Sequence, residues 1–245
     1  MLDTIITIIE IIGVVSFSIS GSVVAIDKEM DFIGVIFLAM ITSFGGGIMR
    51  DLIIGRTPAF FVSIYLYVII SVLTSVVVFV LASVFKKMYV KEEELVTYIN
   101  NFIDALGIGA FTVSSVRLCL DICPEKGAFL AIMMGMTASI GGGMVRDVCL
   151  RDIPFVFRKR IYALASLSGA VLYYVLAVYA FGGSELGEII ASFAGILIVF
   201  LIRVFATVFK WNMPKAINFK EMQNELEFES EVKEAEIPSL TSASK

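Results

Sequence analysis

Long apolar runs set the pattern of this chain. Charged and turn-forming residues interrupt them about every 20–30 positions. A membrane-crossing helix needs about 20 apolar residues to span a ~30 Å hydrocarbon core, and seven runs meet that length. They cover 4–25, 32–54, 60–85, 99–118, 127–149, 158–181 and 186–209, with short connections between them. The expected class is an all-α integral membrane protein of seven transmembrane helices. The first run follows only Met-Leu-Asp, with no basic segment before it and no small-residue cleavage motif before Asp27. It therefore reads as a retained span rather than a leader.

A comparison of the chain with itself adds an internal repeat. Residues 43–61, SFGGGIMRDLIIGRTPAFF, match 139–157, SIGGGMVRDVCLRDIPFVF, at a spacing of 96. Upstream, Glu10, Gly13, Phe17, Ser18, Ser20 and Asp27 meet Asp104, Gly107, Phe111, Thr112, Ser114 and Asp121 at a spacing of 94. Residues 4–85 and 99–181 thus form two copies of a three-helix unit. Residues 186–209 add a seventh helix, and 210–245 form a polar, acidic tail. Three is an odd number of crossings, so the second copy enters the membrane from the opposite side. An inverted 3+3 repeat places substrate or permeation sites near the midplane, between the copies.

Composition agrees with this and removes several chemistries. The chain has 245 residues, 58% hydrophobic and 17% charged, and its mean hydropathy is +0.93. Soluble domains have about 45–50% apolar and 25% charged residues. No basic stretch suits nucleic acid. There is no histidine, so imidazole bases and histidine metal sites are excluded. Three cysteines without a CxxC give no metal or disulfide framework. No catalytic residue, metal site or cofactor is expected, and the protein does not read as an enzyme. Asp51 and Asp147 end their spans on opposite faces, too far apart for an aspartic dyad.

The net charge of −4 belongs to the tail, since residues 221–245 carry −5 and the body +1. Four loop or span-end basic residues (Arg50, Arg56, Arg117, Lys126) fall on the N-terminal side and twelve on the other. Arg203, inside the seventh span, is left out of that count. The positive-inside rule then puts the N-terminus outside and the C-terminal tail in the cytoplasm. A short helix near 218–235 would fit the tail.

Each glycine triplet, Gly45-Gly46-Gly47 and Gly141-Gly142-Gly143, costs its helix roughly 2.5–3 kcal/mol in propensity. Either a kinked or unwound segment lining a polar path, or close packing of small residues, would offset that. The hydroxyls of Thr42, Ser43, Thr137 and Ser139 precede the triplets and suit either role. The intramembrane charges Glu10, Arg50, Asp51, Asp104, Arg146 and Asp147 need partners. Depth along the spans suggests Glu10 with Arg50, and Asp104 with Arg146. Neighbouring Arg50 and Asp51 are not expected to face each other on a helix.

The doubled GGGxxRD in a 3+3+1 chain resembles the prokaryotic branch of the trimeric intracellular cation (TRIC) channels. It is also similar to a duplicated bacterial inner-membrane family labelled glycine transporters. The resemblance covers about residues 4–209. It implies a bacterial or archaeal plasma membrane, a homotrimer with one pore per protomer, and permeant K+ or Na+. It also implies kinks in helices 2 and 5 at the two triplets, with helices 1, 2, 4 and 5 lining the pore. Membrane lipid is the other expected partner. Animal relatives bind phosphoinositide at lysine-containing motifs beside the glycines, where this chain has Arg-Asp. The alternative function is a secondary transporter for a small amino acid such as glycine.

Overall fold

A computed structural model describes residues 1–58, 65–158, 161–209, 211 and 222. Most of the acidic tail, including 218–221 and 223–235, and the start of the third expected span at 60–64 lie outside the described residues. Among the described residues seven helices are long and apolar enough to cross a membrane. They are α1 (Leu2–Asp27), α2 (Phe32–Ile53), α3 (Tyr65–Val84), α4 (Glu93–Ile122), α5 (Gly127–Cys149), α6 (Ile161–Val175) and α7 (Glu185–Val208). A π-helical turn, Leu176–Ala180, continues α6.

Helices α1–α3 pack into one bundle and α4–α6 into a second, inverted bundle. The two meet through α1 against α4 and α2 against α5, while α7 leans on α4 and α6. Serine hydroxyls lock each bundle internally. Ser18 Oγ lies 2.7 Å from Ser43 Oγ and donates to Ser71 Oγ at 2.8 Å. In the second bundle, Ser166 Oγ lies 2.9 Å from Thr112 and 2.6 Å from Ser139. Each group satisfies its polar atoms within protein, as the membrane interior requires.

The helix ends are satisfied as well. Asp31 caps α2, accepting from Gly34 N at 2.7 Å, and Ser184 caps α7, accepting from Gly187 N at 3.2 Å. After α2, Arg56 N donates to Asp51 O and Gly55 N to Leu52 O; after α5, Asp152 N donates to Asp147 O and Arg151 N to Val148 O. Both are Schellman endings, which need a left-handed residue just past the helix. The first copy uses Gly55 at φ +76° and the second uses Arg151 at φ +56°. A left-handed conformation costs a non-glycine residue about 1–2 kcal/mol, partly offset by the greater freedom of an unfolded glycine. Arg151→Gly is therefore expected to stabilise the protein by about 0.5–1 kcal/mol, read as a raised unfolding midpoint in detergent. An unchanged or lowered midpoint would contradict this.

Candidate functional site

The backbone stays α-helical through both glycine triplets. A kinked or unwound segment is one of the two expectations, and of these the unwinding does not occur. The reason is the crossing of α2 and α5. A Cβ on Gly46 would overlap the carbonyl oxygen of Ala138, and one on Gly142 would overlap that of Thr42. Ala138 is the repeat equivalent of Thr42, so the contact is reciprocal. Close backbone approach compensates for the poor helix propensity of glycine. Gly45 and Gly141 face the same crossing: their Cβ positions lie 3.3 Å from Gly142 Cα and 3.1 Å from Gly46 Cα. Gly47 differs, with nothing within 4 Å of its Cβ position, and Gly143 has only Tyr162 Oη at 3.5 Å and Arg146 Nη2 at 3.9 Å. The third glycine of each triplet therefore faces a space rather than a helix.

Those spaces are two small cavities at repeat-equivalent places. The first, about 60 Å³, is lined by Glu10, Ser43, Gly47, Arg50, Asp51 and Tyr67, among others. The second, about 10 Å³, is lined by Gly143, Met144, Arg146, Asp147, Phe155 and Tyr162, among others. A cavity needs at least ~10–15 Å³ to hold one water, so the second is at that threshold and the first exceeds it. Phe155 and Tyr162 also wall a wider crevice of about 620 Å³, with Glu93, Glu94, Arg203 and Trp211.

The expected charge pairs are corrected here. Arg50 Nε and Nη2 both donate to Asp51 Oδ1 at 2.8 Å. Arg146 makes the same fork with Asp147 Oδ1, at 2.8 and 2.7 Å. Adjacent Cβ atoms do diverge on a helix, but the four-bond arginine side chain folds back far enough to close the gap. All four residues are buried. Each arginine then reaches across to the other repeat: Arg50 Nη1 donates to Ser115 Oγ at 3.1 Å and Arg146 Nη1 to Ser20 Oγ at 3.3 Å.

Glu10 pairs with Tyr67, whose hydroxyl donates to Oε2 at 2.7 Å, and not with Arg50. Asp104 makes no close ion pair with Arg146, and Ser20 bridges the two, donating to Asp104 Oδ1 at 3.3 Å and accepting from Arg146. The ionic partner of Asp104 is Arg203 of α7, at 3.3 Å. Arg203 also lies over the Tyr162 ring, 4.3 Å from its centroid. Neither Tyr67 nor Arg203 was among the sequence candidates. A lone arginine inside an apolar span was signal enough to find the second.

Hydroxyl candidates divide in the same way. Thr42 Oγ1 donates to its own helix at Leu38 O, 2.7 Å away. Ser43 and Ser139 belong to the bundle-locking groups, and Ser43 also lines the first cavity. Thr137 is half-buried and sits one position before Ala138, the repeat equivalent of Thr42. Among the described residues no group of Cys, Asp and Glu is arranged to hold a metal ion.

Phe17 and Phe111, equivalent in the repeat, stack with centroids 5.3 Å apart and planes at 14°. Each rests on a glycine beside the other's ring. A Cβ on Gly13 would come 2.9 Å from Phe111, and one on Gly107 would come 2.8 Å from Phe17. Phe111 is also part of the first cavity's wall.

Comparison with known proteins gives consistent results. A family described as "Glycine transporter" matches the chain twice, at 7–83 and 101–178. The UPF0126 inner membrane protein YadS of Escherichia coli K12 is 30% identical over 205 residues, 84% of this chain and 92% of YadS. A UPF0126 membrane protein of Vibrio cholerae is 30% identical over 214 residues, 87% of this chain and 84% of that protein. Among solved structures, the TRIC trimeric intracellular cation channel orthologue from Rhodobacter sphaeroides is 31% identical, with a TM-score of 0.72, covering 85% of this chain and 100% of its own. A prokaryotic TRIC channel crystallised in 0.5 M KCl is 28% identical, with a TM-score of 0.73, covering 86% and 99%.

Proposed function

Because the chain belongs to the family described as glycine transporters and folds as the TRIC channels do, we propose that it is a monovalent cation channel, conducting potassium. The pore runs through each protomer of a homotrimer, along the pseudo-twofold interface of α1, α2, α4 and α5. The protein resides in the inner membrane, with its N-terminus outside and its tail in the cytoplasm.

The observation that supports this reading is the pair of repeat-equivalent cavities beside the buried Arg-Asp forks, the first of them walled by Phe111 of the Phe17–Phe111 stack. Paired aromatic rings at the interface of the repeats supply the apolar constriction that a dewetted gate needs. Glu10 holds negative charge on the wall of the first cavity and favours cations, while Asp104 is offset by Arg203. The Arg50–Asp51 and Arg146–Asp147 forks are neutral in sum, so they shape the walls without repelling a cation. In this reading Phe17 and Phe111 close the path, and conduction requires the rings to part. The GGGxxRD segments allow that movement, because Gly47 and Gly143 leave room on their cavity sides.

Purified protein in planar bilayers under a potassium gradient should show discrete unitary currents. Silent bilayers, together with saturable glycine uptake into liposomes, would replace this reading with the transporter.

A further inference from the structure

A separate cavity of about 280 Å³ lies at the end of the bundle that holds the N-terminus. Arg117 and Asp121 of α4 line it, with Glu188 of α7 and the turn after α6. Pockets for drug-sized ligands begin at ~300 Å³, so this one suits a smaller molecule.

Arg117 is its hub. Its guanidinium lies 3.3 Å from Asp3, 3.4 Å from Asp121 and 3.6 Å from Glu188. The cluster leaves two of its buried atoms without hydrogen bonds. Arg117 Nη1 is a buried donor with no acceptor, and Glu188 Oε2 is a buried acceptor with no donor. The 3.6 Å contact is too long to serve as a hydrogen bond for Oε2. Unsatisfied polar atoms of this kind are uncommon in native structures and call for an explanation.

Charge narrows the ligand. Three carboxylates around one guanidinium disfavour a simple anion. The guanidinium among them disfavours a metal ion. A molecule carrying both an anionic oxygen and an ammonium satisfies both orphan atoms. Leu120, Ala177 and Val178 give the wall an apolar part that accepts a short aliphatic group, and Tyr173, Gly182 and Gly183 complete it. The turn that closes the cavity is π-helical, and Gly182 and Gly183 follow it at φ +55° and +78°. Such π-turns recur at functional sites.

The site is also not a by-product of duplication. At the repeat spacing of 94, Asp27 stands for Asp121 but Val23 stands for Arg117, and Glu188 belongs to the unduplicated helix.

We propose that this cavity binds a small zwitterion, with Arg117 Nη1 holding the anionic oxygen and Glu188 the ammonium. The chemistry fits a free aliphatic amino acid and equally an ethanolamine phospholipid headgroup. The proposal stands independently of the channel reading.

Two arms test it on the full chain. Delipidated protein is titrated with radiolabelled alanine, with acetate and methylamine as half-ligand controls. Protein in nanodiscs of phosphatidylethanolamine is compared with phosphatidylcholine, whose trimethylammonium cannot donate to Glu188. Saturable alanine binding that weakens about tenfold or more in Glu188→Gln supports the free ligand. A higher unfolding midpoint in phosphatidylethanolamine that disappears in Glu188→Gln supports the headgroup. Arg117→Gln should act in the same direction, and the near-isosteric Glu188→Gln stands alone if Arg117→Gln does not fold. The proposal is overturned if neither ligand has an effect, or if the effects persist unchanged in Glu188→Gln.

Discussion

Gly46→Ala and Gly142→Ala are expected to be strongly destabilising, while Gly47→Ala is expected to be neutral or stabilising. All three are single-methyl changes, and two fall in one triplet. At Gly46 the new Cβ would overlap the Ala138 carbonyl oxygen, and at Gly142 that of Thr42. The obstacle in both cases is backbone, so no rotamer change relieves it and α2 must separate from α5. Overpacking typically costs about 1–3 kcal/mol. A backbone obstacle at a helix crossing places these changes at the top of that range or above it. At Gly47 no atom is within 4 Å of the new methyl, so only helix propensity counts, favouring alanine by up to about 1 kcal/mol. Unfolding midpoints of the purified variants check this order. If Gly46→Ala and Gly47→Ala behaved alike, the triplet would not be a packing seam.

The second large effect is expected at the link between the repeats and α7. Asp104 and Arg203 are both buried and 3.3 Å apart. Asp104→Leu leaves Arg203 without its carboxylate inside the membrane, and removing one partner of a buried pair costs about 3–5 kcal/mol. Arg203→Met alone strands Asp104 in the same way, although Ser20 still donates to it. The double variant Asp104→Leu, Arg203→Met removes both charges and is expected to recover most of the loss. A double-mutant cycle in detergent reads the coupling, expected at about 3 kcal/mol or more. Additive losses would mean that the two side chains do not depend on each other.

Much of this architecture could be read from the residues. Run length gave the seven spans, because a membrane interior forces helices of that length. The spacing of 94 and 96 identified the pairs that later proved equivalent in space. Phe17 with Phe111, and Gly13 with Gly107, were matched from the sequence, but their stacking across the axis was not foreseen. Repetition shows which positions correspond, and only the docking of α1 on α4 brings them together.

The charges were legible as important and misread as pairs. Depth along a span does not determine how far a side chain can fold, so the Arg50–Asp51 and Arg146–Asp147 forks were missed. Tyr67 escaped notice because a tyrosine in an apolar helix carries no special signal. Arg203 escaped because the seventh helix lay outside the repeat. The glycine triplets admitted two readings from sequence, and the crossing of α2 and α5 shows the packing one directly. Ser20 and Ser114 illustrate the limit of symmetry. Ser20 joins Arg146 to Asp104, while its equivalent Ser114 has no hydrogen-bond partner and Arg50 uses Ser115 instead.

On the proposed mechanism ions pass along the pseudo-twofold axis, past the two stacked phenylalanines. Single-channel recording of Phe111→Ala in planar bilayers, on protein that elutes as the parent does, tests this. If Phe111 closes the path, the variant shows a several-fold higher open probability or unitary potassium current than the parent. Unitary currents indistinguishable from the parent would place the conduction path elsewhere and contradict it.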